Sequence, residues 1–219
     1  GVADSFPGNS LAALAAYWAA EAAFQQNQFE AAQQRFAALP EKLRDARPDL
    51  AAMAGLRHAQ SLAALKEWKQ ALAVAEATAA AHPGFDQFYE LDYLRGRCLA
   101  ARALFDQARE AYREVTRSQF GSKTETAAMA QWMIGETHFH QQDYESAVRE
   151  YLRVEILYAQ PLWQSAALLQ AGKCYERLGQ HDKAAELFLR LIQDYPESPH
   201  KDDASQRLPL ARQKAAATQ

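Results

Sequence analysis

The chain has 219 residues, 49% of them hydrophobic and 23% charged, with a formal net charge of -3 at pH 7. That length supports an ample core and the abundance of Ala, Leu, Gln, Glu and Arg favours helix, while the near-neutral balance offers no basic surface for nucleic acid. The most apolar run, Leu11 to Phe24, is too short to span a bilayer and carries Glu21.

The N-terminus reads Gly1-Val2-Ala3-Asp4, with neither an initiator Met nor a signal peptide. It is read as a mature end or the edge of an excised domain, with Gly1 a cloning remnant, and residues 1–9 as a disordered segment or linker. Five helical hairpins are then expected, over about 10–45, 48–83, 85–120, 122–160 and 161–198. Each carries an alanine in the same local pattern: Phe29-Glu30-Ala31-Ala32 with Phe36, Trp68-Lys69-Gln70-Ala71 with Ala75, Phe105-Asp106-Gln107-Ala108 with Tyr112, Tyr144-Glu145-Ser146-Ala147 with Tyr151, and His181-Asp182-Lys183-Ala184 with Phe188.

Successive register alanines lie 39, 37, 39 and 37 residues apart. The alternation implies a duplicated pair of repeats, and Ala51-Ala52-Met53-Ala54 recurs 76 residues on as Ala127-Ala128-Met129-Ala130, as Gly96-Arg97-Cys98-Leu99 does in Gly172-Lys173-Cys174-Tyr175. In the fourth and fifth hairpins a glycine, Gly135 or Gly172, stands 12 residues before the alanine. Two antiparallel helices approach closely only where a side chain at the crossing is tiny, so Gly135 is expected against Ala147, with Ile134, Tyr144 and Tyr151 filling the wedge beside it.

Punctuation sets the boundaries. Pro40, Pro48, Pro83-Gly84, Pro161 and Pro196 are placed between hairpins, where a missing N–H interrupts no helix. Ser122-Lys123-Thr124-Glu125 reads as a capping box, Glu30, Asp106, Glu145 and Asp182 suit the positive ends of second helices, and Gly179 fits a left-handed helix stop. Ser198-Pro199 should open a closing helix and tail over 199–219, and Pro209 should kink or end that helix early.

Small residue, bulky neighbours, alanine, aromatic and inter-hairpin proline together resemble the tetratricopeptide repeat, over about residues 10 to 198. Likeness is strongest in the fourth and fifth hairpins and weaker in the first two, where Ala20 and Ala59 replace Gly. The tails Tyr195-Pro196-Glu197-Ser198-Pro199 and Ala81-His82-Pro83-Gly84 look like the subgroup found in bacterial envelope proteins, such as the Tol-Pal coordinator and outer-membrane assembly lipoproteins. The resemblance implies a right-handed all-α solenoid of five hairpins plus a C-terminal capping helix, because a lone hairpin cannot bury its apolar face. The subgroup likeness leans toward a bacterial periplasm or cell envelope, with the cytoplasm left open.

In such a solenoid the first helices line a concave groove. Relative to the small residue, groove positions fall three before, one after, and four or five after. They are Tyr17, Glu21 and Phe24 in the first hairpin, Leu56 and Gln60 in the second, and Tyr93 and Arg97 in the third. The fourth supplies Trp132, Glu136, Phe139 and His140, and the fifth Leu169, Lys173, Glu176 and Arg177. An apolar stripe flanked by alternating charge points to a helical or extended segment of a partner protein, held by aromatic anchors and ion pairs. Packing of Tyr93 and Trp132 between neighbouring first helices is the competing expectation. Domains of this family that grip a chaperone's C-terminal carboxylate use Lys and Asn, and the only asparagines here, Asn9 and Asn27, fall outside the groove positions.

Catalytic signatures are thin. The chain has no Gly-rich phosphate loop, no Gly-x-Ser-x-Gly elbow and no Cys-x-x-Cys pair. His138 and His140, two apart on a helix, point about 200° from one another, and Glu136 with His140 falls short of the ligands that zinc needs. Cys98 and Cys174 occupy equivalent positions two repeats apart, roughly 20 Å at about 10 Å per helix layer and beyond disulfide reach. The expectation is therefore a non-catalytic interaction scaffold with no cofactor or metal, its oligomeric state left open with the monomer favoured, binding a protein or peptide. The alternative is a regulatory or substrate-recruiting domain cut from a larger, enzymatic protein; self-association through exposed ends is a third possibility.

Overall fold

The computed structural model describes residues 10–218, so the linker expected over residues 1–9 lies outside the described residues. Among these there are twelve helices and no strand. The first hairpin pairs α1 (Ser10–Gln25) with α2 (Phe29–Phe36), followed by a short α3 (Leu39–Leu43). The second pairs α4 (Pro48–Ala64) with α5 (Trp68–Ala81), and the third α6 (Phe88–Ala101) with α7 (Phe105–Arg117). The fourth pairs α8 (Glu125–His140) with α9 (Tyr144–Leu157), the fifth α10 (Pro161–Arg177) with α11 (His181–Asp194), and α12 (Lys201–Thr218) closes the series. Two compact units divide the chain, Gly1–Ala111 and Tyr112–Gln219, with the boundary inside α7.

In the first unit α4 is central, packed on α2, α3 and α5, with α1 and α6 also beside it. Its first hairpin is cored by Tyr17, Ala20, Ala32, Phe36, Leu39 and Leu43. In the second unit α10 lies against α9 and α11, and α12 covers α11. Tyr151, Phe188, Leu168 and Leu191 are fully enclosed there, each burial contributing roughly 1.5–3 kcal/mol. All five register alanines, Ala32, Ala71, Ala108, Ala147 and Ala184, have no exposed surface. A larger side chain at any of them would force the paired helices apart.

One turn geometry joins every hairpin. The residue five before the register alanine has a positive φ: Asn27 (57°), Lys66 (63°), Ala103 (58°), Gln142 (61°) and Gly179 (71°). The next amide reaches back across the turn in each case, Gln28 to the Ala23 carbonyl at 2.9 Å, Glu67 to Leu62 at 2.9 Å, Leu104 to Leu99 at 3.0 Å, Asp143 to His138 at 3.0 Å and Gln180 to Tyr175 at 2.9 Å. This is the Schellman closure, which needs a left-handed residue and satisfies carbonyls that the helix end leaves open. Gly179 is the glycine foreseen; the other four positions take the same conformation without one.

Several boundaries differ from those expected. Pro40 is the second residue of α3 instead of lying outside a helix, and Pro48 and Pro161 occupy the first turns of α4 and α10, where a missing N–H costs nothing. Thr124, not Ser122, caps α8: its backbone is extended, and its Oγ1 accepts from the Ala127 amide at 3.4 Å. Ser198 spends its hydroxyl on a turn, contacting Ser165 Oγ at 2.8 Å and accepting from the His200 amide at 3.0 Å, so α12 opens only at Lys201. Pro209 does not end that helix. Ala204, Ala211 and Ala215 are buried on both sides of it, and their anchorage holds the helix through the position where proline removes one hydrogen bond.

The crossing of the hairpin helices also differs. A Cβ added at Gly135 would lie 2.6 Å from the Tyr151 ring, and one at Gly172 would lie 2.4 Å from that of Phe188. The glycine therefore makes room for the aromatic ring rather than meeting the alanine. In the second hairpin, where Ala59 and Ala75 fill those registers, the close approach moves one turn back: a Cβ on Gly55 would lie 2.3 Å from Thr78 Oγ1.

Candidate functional site

Within each unit the first helices stand side by side, α1 with α4 and α4 with α6, then α8 with α10 and α10 with α12. That adjacency decides which groove positions reach solvent. Tyr17, Leu56 and Leu169 do not, at 4%, 1% and 5% exposure. Three before the small residue is a seam position, and the Tyr17 ring packs edge-on against Phe36 at 5.9 Å. Burial, with Glu21 next, raises the Tyr17 pKa.

Tyr93 and Trp132, at the same register, are half-buried. Burial pushes the Tyr93 hydroxyl up to about 12. The Trp132 ring lies 5.7 Å from Trp163 on α10 and 6.2 Å from Tyr151 on α9. Its indole nitrogen is shielded from solvent with no hydrogen-bond partner, whereas that of Trp163 donates to Glu125 at 2.9 Å. Trp132 is thus a wedge between first helices with one edge showing.

The charged column is largely committed inside the chain. Glu21 pairs with Arg57 at 3.1 Å, Arg57 donates to Gln60 at 2.8 Å, and the same guanidinium lies 4.8 Å above the Phe24 ring. Glu136 accepts from the Tyr151 hydroxyl and from Gln170 at 3.1 Å. The Tyr151 pKa rises through burial and then through the Glu136 charge. Lys173 meets Asp203 at 2.8 Å, and Arg207 bridges Asp203 and Glu176, at 2.7 Å to each. Burial opposes ionisation of Asp203, but bonds from Lys173 and Arg207 hold its carboxyl below the usual value.

Arg57, Trp163, Gln170, Asp203 and Arg207 were not among the groove residues read from the sequence. A signal for two of them exists: Arg57 and Gln170 stand two before the small residues Ala59 and Gly172, facing Glu21 and Glu136, each one after the small residue of the preceding first helix. One-after to two-before is a brace that recurs once in each unit.

Arg97, His140 and Arg177 remain exposed. Arg97 lies 6.0 Å from the Trp68 ring, and Phe139 contacts Tyr144 and His140 edge-on at 5.4 and 6.3 Å. His138 Nδ1 lies 3.2 Å from Asp143 Oδ2. A cleft of about 560 Å³ in the first unit is bordered by Tyr17, Leu50, Met53, His82 and Phe85, a feature with no counterpart in the sequence reading. Cys98 and Cys174 are free and buried, and burial pushes their thiols up to about 11 and about 12. Among the described residues no group of three or more His, Cys, Asp or Glu could hold a metal ion. No described helix is long and apolar enough to cross a membrane.

Known structures share the helical fold. BtubC (BKLC) from P. vanneervenii superposes with a TM-score of 0.68 at 15% identity, over 80% of this chain and 76% of that one. MamA from Desulfovibrio magneticus RS-1 gives 0.66 at 16%, over 83% and 93%. A tetratricopeptide repeat protein from Parabacteroides merdae gives 0.68 at 13%, over 94% and 75%. Identities this low speak for the fold alone. No curated protein sequence matches the chain. A tetratricopeptide repeat family matches residues 166–198, and the tetratricopeptide repeat-like domain family matches residues 1–130, more than half of the chain. The chain belongs to the tetratricopeptide repeat-like family.

Proposed function

We propose that the first-helix face of the second unit binds a segment of a partner protein. Tetratricopeptide repeats are protein-interaction scaffolds and are generally non-catalytic, which gives the class; the face is the finer step. The observation that supports it is the brace itself. Glu136, Lys173 and Glu176 are tied to neighbouring helices, so the half-exposed Trp132 and Phe139 and the exposed His140 and Arg177 stand on a surface already ordered before binding. A surface fixed in advance loses little entropy on association. Aromatic edges with an adjacent arginine are the residue types that concentrate binding energy. Placement of such a scaffold in a bacterial envelope rests on the tails Tyr195 to Pro199 and Ala81 to Gly84.

The test is retention of proteins from the source organism by the immobilised wild-type chain and by a Phe139→Ala/His140→Ala/Arg177→Glu variant of unchanged helicity and melting temperature. Loss of a saturable, specific partner from the variant supports the face. Undiminished binding overturns it. Trp132→Ala separates anchor from wedge: a large fall in melting temperature with intact affinity assigns it to packing alone.

A further inference from the structure

The helix α1 shows solvent an apolar strip along its length. Leu11 and Trp18 are each 62% exposed, and Ala15, Ala19, Ala22 and Gln25 are exposed with them. At 100° per residue these side chains fall within about a third of the helix circumference. That strip contains no charge. The only ionised residue of α1, Glu21, sits at its flank and is tied to Arg57. By contrast α12, the closing helix of the second unit, exposes Asp202, Gln206, Arg212, Gln213 and Lys214, with Leu210 the one large apolar residue showing among its described positions.

We infer that the α1 strip is an interface with a second copy of this chain, made by antiparallel packing of α1 on α1. The order of large and small residues carries the identification. Leu11, Ala15, Trp18 and Ala22 are spaced four, three and four apart, a series that reads the same in both directions. Reversed on a twofold axis between Ala15 and Trp18, it sets Leu11 against the partner's Ala22 and Trp18 against the partner's Ala15, and the same two contacts again by symmetry. Every large side chain then meets a small one in all four layers. Parallel pairing would stack Trp18 on Trp18 and Leu11 on Leu11, holding the helices apart. A surface complementary to itself closes a dimer and stops there. The polar strip of α12 gives the apolar one no match, so head-to-tail growth is disfavoured. Exposed alanines permit a short interaxial distance, and an uncharged strip has no use for an ionic partner. Four layers form a small contact for a specific interface, so the dimer should dissociate on the order of micromolar.

Sedimentation equilibrium of the 219-residue chain across micromolar to millimolar concentration tests this. The apparent mass should rise from 24.5 kDa toward twice that value, and Trp18→Glu, a change at an exposed site, should hold it at the monomer mass with unchanged helicity. Orientation is read by mixing Leu11→Cys and Ala22→Cys chains under mild oxidation, since Cys98 and Cys174 are buried. The mixed disulfide should outnumber Leu11→Cys homodimers several-fold. A constant monomer mass would overturn the inference, whether the strip is covered by residues 1–9, which would show as a lower melting temperature in Trp18→Glu, or by a different protein. So would a Trp18→Glu variant that dimerises as the wild type does, or a predominance of the homodimeric cross-link.

Discussion

At the scale of single residues, the hairpin turns hold the most accessible energy. Ala103 adopts a left-handed backbone that costs an L-residue about 1–2 kcal/mol, and its side chain is exposed, so Ala103→Gly should stabilise the first unit by about 1 kcal/mol in chemical denaturation. Gly179→Ala at the equivalent turn should destabilise by a similar amount. The glycines at the helix crossings act oppositely, through space. Gly172→Ala drives a methyl into a Phe188 ring that has no exposed surface to retreat into, and overpacking of this kind costs about 1–3 kcal/mol. Titration enters at His58, half-buried on α4, where burial holds the imidazole below its ordinary value. The unfolded chain therefore binds the proton more readily, and the residue's contribution to stability is complete above about pH 6.5 and is lost as pH falls through that value. It levels off once the folded imidazole is protonated too. Melting curves between neutral and mildly acid pH should be flatter in His58→Gln than in the wild type.

Among elements, α12 is the informative case. Its proline sits in the helix interior, where proline costs about 3 kcal/mol relative to alanine. Pro209→Ala should raise the stability of the second unit by up to roughly that amount, with helicity unchanged or slightly increased. What could be read from sequence follows the same division between pattern and context. Hairpin number and the register alanines were legible because small residues at a fixed spacing have one physical meaning. The early end allowed for at Pro209 came from a local rule, and Ala204, Ala211 and Ala215 supply the anchorage that carries the helix past it. For the groove, Tyr17, Leu56 and Leu169 were misplaced because a stripe at helical spacing looks the same whether it faces solvent or the next first helix. Arg57 and Gln170 were missed because their role exists only between repeats, and a motif read within one repeat does not contain its neighbour.

For the molecule as a whole, contacts run mainly between successive elements, so stability should be local. Gly172→Ala is expected to speed amide hydrogen exchange in α10, α11 and α12 while leaving α1 to α5 at wild-type rates, as nearest-neighbour coupling in repeat proteins requires. Equal acceleration throughout would mean that the chain unfolds as one cooperative body. Association through α1 adds a concentration dependence to the melting of the first unit.

The five Schellman turns also decide where the chain can be lengthened. Each first helix passes to its second through a closure whose hydrogen bonds count residues, so one added residue would break the bond pair and rotate the following helix by about 100°. The passages from one hairpin to the next share no common closure, since α3 occupies one of them and Pro83-Gly84 a turn in another. Epitopes, dyes or whole domains should therefore be accepted at 44–47 and 83–87 and rejected at 26–28, 65–67, 102–104, 141–143 and 178–180, so that one kind of connection carries nearly all of the chain's freedom to acquire new parts.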